Sequence, residues 1–147
     1  PLRGASVKPY KEGLEFVKDG YVCYRKGDLV KAYPAEAAVD MIYAESHLRA
    51  VSAGCAAATV MEGAKGRSIV PEGDIALSEA LRRGFFPEVE LSLEHALRYL
   101  RRETLAFPGE AKGYLLVTYR GIPLGFVKNI GNRSNNLWPQ GWRIRNV

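Results

Sequence analysis

Gly113-Tyr114-Leu115-Leu116-Val117-Thr118-Tyr119-Arg120-Gly121-Ile122-Pro123-Leu124-Gly125-Phe126-Val127-Lys128 is the stretch that decides how this chain folds. Leu115, Val117 and Tyr119 alternate with Tyr114, Leu116 and Thr118, which is the two-residue period of a strand. Gly121 turns the chain, and Ile122 to Ile130 returns as an antiparallel partner. Pro123 has no amide hydrogen, so the start of that second strand must be an edge or a bulge.

Working outward, Gly131 to Gln140 reads as a polar loop. Trp142 to Val147 reads as a closing strand, with Arg143 and Arg145 alternating against Trp142 and Ile144. Upstream, Ser92 is placed to cap a helix whose Leu93, Ala96, Leu97 and Leu100 share one face. Glu94 and Arg98 form an i, i+4 pair on it, while Arg98, Arg101 and Arg102 crowd its last turn and add basic surface. Phe85-Phe86-Pro87 is a connector, and Glu88 to Leu91 alternates like a strand with Glu88 and Glu90 turned to solvent.

In the first half, residues 1–18 read as an irregular lead-in. Tyr21 to Arg25 and Leu29 to Tyr33 flank Lys26-Gly27-Asp28 as a hairpin. Pro34 is placed to start a helix with Ala35, Ala38, Val39 and Ile42 on its apolar face, ending near Ser46. Arg49 to Ala53 and Cys55 to Met61 look like strands joined at Gly54, and Glu62 to Arg67 like a loop before Ser68-Ile69-Val70. Asp74 is placed to cap a helix through Leu81, with Leu77, Ala80 and Leu81 inward and Gly84 as its stop. The expected class is α+β: a small mixed domain at 19–84, then a compact, partly closed β-barrel with short helices at 85–147.

The composition of the 147 residues is globular, at 47% hydrophobic and 25% charged. The longest uncharged run, Ala50 to Met61, falls short of the roughly 20 residues that span a bilayer, so no membrane partner is expected. No basic segment followed by an apolar core is visible at its start, so no secretory signal is expected. Pro1-Leu2-Arg3-Gly4, without an initiator methionine, suggests a piece of a longer protein. Cys23 and Cys55 are too few for a disulfide framework and suit a reducing cytoplasm. A cytoplasmic monomer is expected.

Charge is divided sharply along the chain. The net formal charge is +5, yet every carboxylate side chain lies at or before Glu110. Up to that residue the net charge is −1; beyond it Lys112, Arg120, Lys128, Arg133, Arg143 and Arg145 give +6. A segment with no internal carboxylate directs its field at anionic partners.

Catalytic signatures are missing. His47, His95, Cys23 and Cys55 have no metal-ligand spacing, so no metal site is expected. His95 reads as a surface residue, and Cys55, in an alanine-rich setting, as a protonated thiol. The nucleophile elbow, the phosphate loop and the dinucleotide glycine motif are all lacking, and Gly63-Ala64-Lys65-Gly66 is a turn. Catalysis within these residues is therefore not expected.

What is present is suited to RNA. Arg120, Lys128, Arg133, Arg143 and Arg145 can neutralise phosphates. Asn129, Asn132, Asn135 and Asn136 both donate and accept, as reading a base edge or sugar hydroxyl requires. Trp138 and Trp142 can stack on unpaired bases. Four of them have a plainer reading as well: Trp142 beside Ile144 as core, Trp138 as a cap on the barrel end, and Asn135 and Asn136 as Asx turns.

These residues also carry a family likeness. Gly113-Tyr114, Gly121 to Lys128, Gly131-Asn132-Arg133 and Asn136-Leu137-Trp138-Pro139 resemble the C-terminal PUA-like domain of bacterial Nop/Sun-family ribosomal RNA cytosine 5-methyltransferases. The likeness is specific from Leu91 to Arg145; Tyr21 to Met61 is similar to an additional small domain that precedes it. Phe126 stands where the family pattern has Trp, and Asn132 replaces the second glycine of a Gly-Gly-Arg run. The resemblance implies an RNA-binding region whose partners are ribosomal RNA and an N-terminal methyltransferase domain. That domain would bind S-adenosylmethionine and carry the catalytic cysteines in Pro-Cys and Thr-Cys settings, which do not occur here. No cofactor is expected in these residues themselves. The alternative is a non-catalytic module docking a neighbouring domain or ribosomal protein. A third reading, an independent small-molecule enzyme, requires a deep pocket of convergent titratable groups.

Overall fold

A computed structural model describes residues 7–48 and 52–145. It divides the chain into two units, Pro1–Arg82 and Arg83–Val147, both α+β and built mostly of strands.

The first unit is a five-stranded antiparallel sheet in the order β1-β2-β3-β4-β5. Its strands are Lys8–Pro9 (β1), Tyr21–Lys26 (β2), Leu29–Pro34 (β3), Cys55–Gly63 (β4) and Gly66–Pro71 (β5). The β2–β3 hairpin forms where the sequence places it, closing at Lys26 opposite Leu29. The lead-in is more ordered than its composition suggests: β1 extends the sheet edge, and Leu14, Phe16 and Val17 are buried.

Three expectations for this unit are corrected. Helix α1 is Ala38–His47, because Pro34 still pairs with Tyr21 and the Ala37 amide turns back to the Pro34 carbonyl. Its buried positions are Ala38 and Ile42; Val39 is exposed. The Glu62 to Arg67 loop is a hairpin instead, with β4 and β5 paired out to Gly63 opposite Gly66. Helix α2 is only Gly73–Ala76, because Asp74 accepts the Ala56 amide at 3.0 Å and Leu81 bridges to Val17. Ala80 and Leu81 are buried as expected, but Leu77 is exposed. Of the strand expected at Arg49 to Ala53, residues 49–51 lie outside the described residues. Ser52 and Ala53 are not strand, and the Ala53 amide donates to Glu45.

The second unit is a four-stranded sheet in the order β6-β7-β8-β9, made of Glu88–Glu90 (β6), Gly113–Tyr119 (β7), Ile122–Asn129 (β8) and Ser134–Asn136 (β9). The sheet is open: among the described residues β6 and β9 do not pair, so strand pairing does not supply the expected barrel closure. β7 is central and buried on both faces from Leu115 to Thr118. The Pro123 expectation holds, since Val117 faces Gly125 and Thr118 faces Pro123, leaving Leu124 as the bulged residue.

Helix α3, Leu93–Leu100, covers one face of this sheet, packing Ala96 and Tyr99 against Leu115, Val117 and Val127. Ser92 caps it, accepting the His95 amide at 3.2 Å. The helix is rotated from the leucine face expected, with Leu93 exposed and Tyr99 fully buried. Arg98 reaches Glu103 at 3.3 Å in place of Glu94. On the other sheet face the Phe86 ring meets Phe126 at 4.9 Å. The polar loop after Gly131 contains β9, and the expected closing strand is replaced by a 3-10 turn at Gln140–Trp142 followed by irregular chain to Arg145. Residues 146–147 lie outside the described residues.

Candidate nucleic-acid interface

Lys128 projects from β8 between buried Val127 and Asn129, and is itself exposed. It faces Tyr114 on β7 and Asn135 on β9, so the three form one row across the sheet. Its Nζ lies 5.6 Å from the centre of the Tyr114 ring, a cation–π contact that leaves the ammonium in water. Beyond β8 the chain turns at Gly131, whose φ of +110° suits glycine, and the Ile130 amide donates to the Arg133 carbonyl at 3.0 Å. Lys112 lies over that turn: its Cε is 3.3 Å from where a Gly131 Cβ would sit. Lys112, Lys128, Asn132, Arg133 and Asn135 thus gather at one end of the sheet, and all five are exposed.

Arg120 does not join them. It occupies the β7–β8 turn at the opposite end of the hairpin, about 20 Å away by strand rise. Arg143 and Arg145 form a third group beside the C-terminal end of α3, where the intervening Ile144 amide donates to the Leu100 carbonyl at 3.1 Å. Trp138 is half-buried, its ring 5.8 Å from Tyr99 and 5.1 Å from Trp142. Its indole donates to the Trp142 carbonyl at 2.9 Å. Trp142, 40% exposed, is the outer ring of the pair and is not core.

Two asparagines leave the candidate surface. Asn129 is 2% exposed, and its amide donates to the carbonyls of Phe107, Glu110 and Ala111 while its oxygen accepts the Gly131 amide. Asn136 donates to the carbonyls of Tyr99 and Glu103 and accepts the Trp138 amide, which is the Asx-turn reading. Nothing in their spacing distinguishes them from Asn132 and Asn135; the register of β8 and β9 does.

The cations divide as the sequence divides its charge. Among the described residues, ion pairs are made by Arg25, Lys31, Arg67, Arg82, Arg83, Arg98 and Arg101, all before Glu110. None of Lys112, Arg120, Lys128, Arg133, Arg143 and Arg145 pairs with a described carboxylate. Arg102, read from sequence as basic surface, instead spends its guanidinium on the carbonyls of Trp138 and Asn136 and the Gln140 side chain. Its φ of +62° is the local sign of that special role, and is invisible in sequence.

The other ionisable groups near the unit serve the fold. Glu90, expected to face solvent only, accepts the Gly121 and Arg120 amides and the Thr118 hydroxyl, and these bonds hold its carboxyl below the usual range. The Arg83 guanidinium likewise lowers Glu88. In the first unit, burial pushes the Cys23 and Cys55 thiols up to about 11, which keeps them protonated and poor nucleophiles. Among the described residues no group of His, Cys, Asp and Glu is gathered to hold a metal ion. No described helix is long and apolar enough to cross a membrane.

An open sheet that presents cations without described carboxylate partners, beside exposed amides, at one end has the features of a surface for an anionic polymer. Residues 86–144 match the family described as Methyltransferase RsmF PUA domain, a span that lies within the second unit and includes none of the first. Over these residues, less than half of the chain, it is similar to the PUA domain of the RsmF methyltransferases. No curated protein matches the chain.

Proposed function

We propose that this chain docks an S-adenosylmethionine-dependent cytosine 5-methyltransferase on its ribosomal RNA substrate, with catalytic domain and cofactor carried elsewhere in the parent protein. The observation that carries the reading is the set of exposed cations after Glu110 that lack described carboxylate partners, within a segment of the RsmF PUA type. Lys128 and Arg133 contact phosphates at the sheet end, joined by Lys112, while Asn132 and Asn135 reach sugars or bases. Arg143 and Arg145 with Trp142 offer a second contact, and Arg120 takes part only if the RNA extends along the hairpin. The parent works in the cytoplasm, where unpaired Cys23 and Cys55 stay reduced.

The test is filter binding of a structured ribosomal RNA fragment at two salt concentrations. Affinity should fall with a log–log slope of about −0.7 for each phosphate contacted on unpaired RNA. Lys128→Ala combined with Arg133→Ala should weaken binding and flatten that slope at unchanged melting temperature. Undiminished retention by the double variant sinks the reading. The protein-docking alternative needs a large apolar patch beside the cations; the exposed large hydrophobics of this unit are Phe85, Leu93, Ile122, Ile130 and Trp142, of which Ile130 lies in sequence between Lys128 and Arg133 and Trp142 precedes Arg143.

A further inference from the structure

A groove of about 360 Å³ opens on the second unit between α3 and the end of the β8–β9 hairpin. His95 and Arg98 line it from the helix, Asn132 and Arg133 from the hairpin, and Thr104 from the segment between. Leu105 and Phe107, both buried, complete the lining. No carboxylate belongs to this wall. Glu103 lies just outside it and binds Arg98 through Nε at 3.3 Å, while Arg98 Nη2 donates to the Thr104 carbonyl at 3.2 Å, so the guanidinium is held in a fixed orientation.

The walls are fixed too. The Ser134 amide and hydroxyl both donate to the Leu105 carbonyl, at 3.0 and 2.6 Å. Asn129 fastens the carbonyls of Phe107, Glu110 and Ala111. Two of the unit's few buried polar side chains therefore tie the 105–111 segment to the hairpin that carries Arg133. Such buried polar bonds hold a site in shape before any ligand arrives.

We propose that this groove seats one nucleotide of a single-stranded RNA segment. Arg98 and Arg133 hold its phosphate, Thr104 and Asn132 reach its sugar or base, and the apolar lining packs beneath. Guanidinium groups suit phosphate geometry, and the volume falls in the range of about 300–1,000 Å³ that holds small organic groups. The inference rests on the RNA-binding reading and deepens it. It adds α3 residues that precede Glu110 to the contact surface, and separates them from the Lys128 row.

The experiment uses the full chain with a short single-stranded RNA and with the same base sequence on an uncharged backbone. Asn132→Asp and Thr104→Glu each place a carboxylate on the exposed rim while leaving the Arg98–Glu103 contact intact. Each should weaken RNA binding about tenfold with the melting temperature unchanged, and the uncharged oligonucleotide should bind weakly to every form. Either variant binding as wild type, while Lys128→Ala is impaired, refutes the groove and leaves the RNA reading standing. Undiminished binding by Lys128→Ala with Arg133→Ala refutes that broader reading instead. Displacement of the RNA by inorganic phosphate at matched ionic strength, or by an acidic peptide at equal concentration, would also overturn the nucleotide assignment.

Discussion

Tyr99 donates its hydroxyl to the Phe126 carbonyl at 2.9 Å directly over Gly125, where a Cβ would lie 2.3 Å from that hydroxyl oxygen. The absent side chain lets α3 lie against β8, and the buried phenol then fastens helix to sheet. The Tyr99 carbonyl accepts from Asn136, which extends the tie to β9.

Gly125→Ala should therefore push the helix from the sheet and destabilise the second unit by about 1–3 kcal/mol. Tyr99→Phe should be milder, about 1 kcal/mol, because the Phe126 carbonyl keeps the Leu137 amide as a donor. Urea denaturation of the two variants reads both values, and the opposite ranking would contradict this packing.

Asn129→Ala removes the donor shared by three carbonyls and should lower stability by about 1–3 kcal/mol. Asn129→Asp should be worse, since a carboxylate would face the same carbonyls with no hydrogen to donate. Denaturation midpoints check this. An Asn129→Ala protein of native stability with impaired RNA binding would restore Asn129 to the surface.

Glu90 predicts a pH dependence. Its folded pKa is depressed, first by the Gly121 amide, so the stability it adds is present above the ordinary carboxylate value of about 4.3. That contribution is lost as pH falls through the lower folded value. Melting temperature followed from pH 7 downward should decline more steeply for the wild type than for Glu90→Gln, which has no carboxylate to protonate. Parallel curves would remove Glu90 from this role.

Arg102→Ala should release the segment from Asn136 to Gln140, shifting tryptophan emission to the red as Trp138 gains water. Arg102→Gly relieves the positive φ but also lacks the guanidinium. A red shift in both variants assigns the effect to the side chain. Native emission from Arg102→Gly would assign it to the backbone.

The β2–β3 and β7–β8 hairpins were legible because they rest on local rules, whereas β4–β5 and β8–β9 were read as loops. Alternation and a turn glycine place β7 and the turn, and Pro123 limits the start of β8 to an edge or a bulge, before any tertiary contact is considered; the register then puts the bulge at Leu124. Helix faces were less legible. The leucine spacing of α3 points to Leu93, yet Tyr99 is the residue buried, because a glycine on β8 opens space for a phenol. The β6–β7 pairing is parallel and spans more than twenty residues of sequence, so no local pattern announces it. The four asparagines look alike in sequence. Strand register turns Asn135 outward beside Lys128 and Asn129 inward among carbonyls.

Linear order alone determined the charge division: with no carboxylate side chain after Glu110, the cations beyond Lys112 have no close acidic neighbour along the chain. Tertiary structure decided where those cations stand. It gathers Lys112, Lys128 and Arg133 at one sheet end, sends Arg120 to the other, and draws Arg98 across to Arg133 around a groove. Charge is a property of each residue and adds along the chain, whereas a binding surface depends on distances that only strand register and helix docking set.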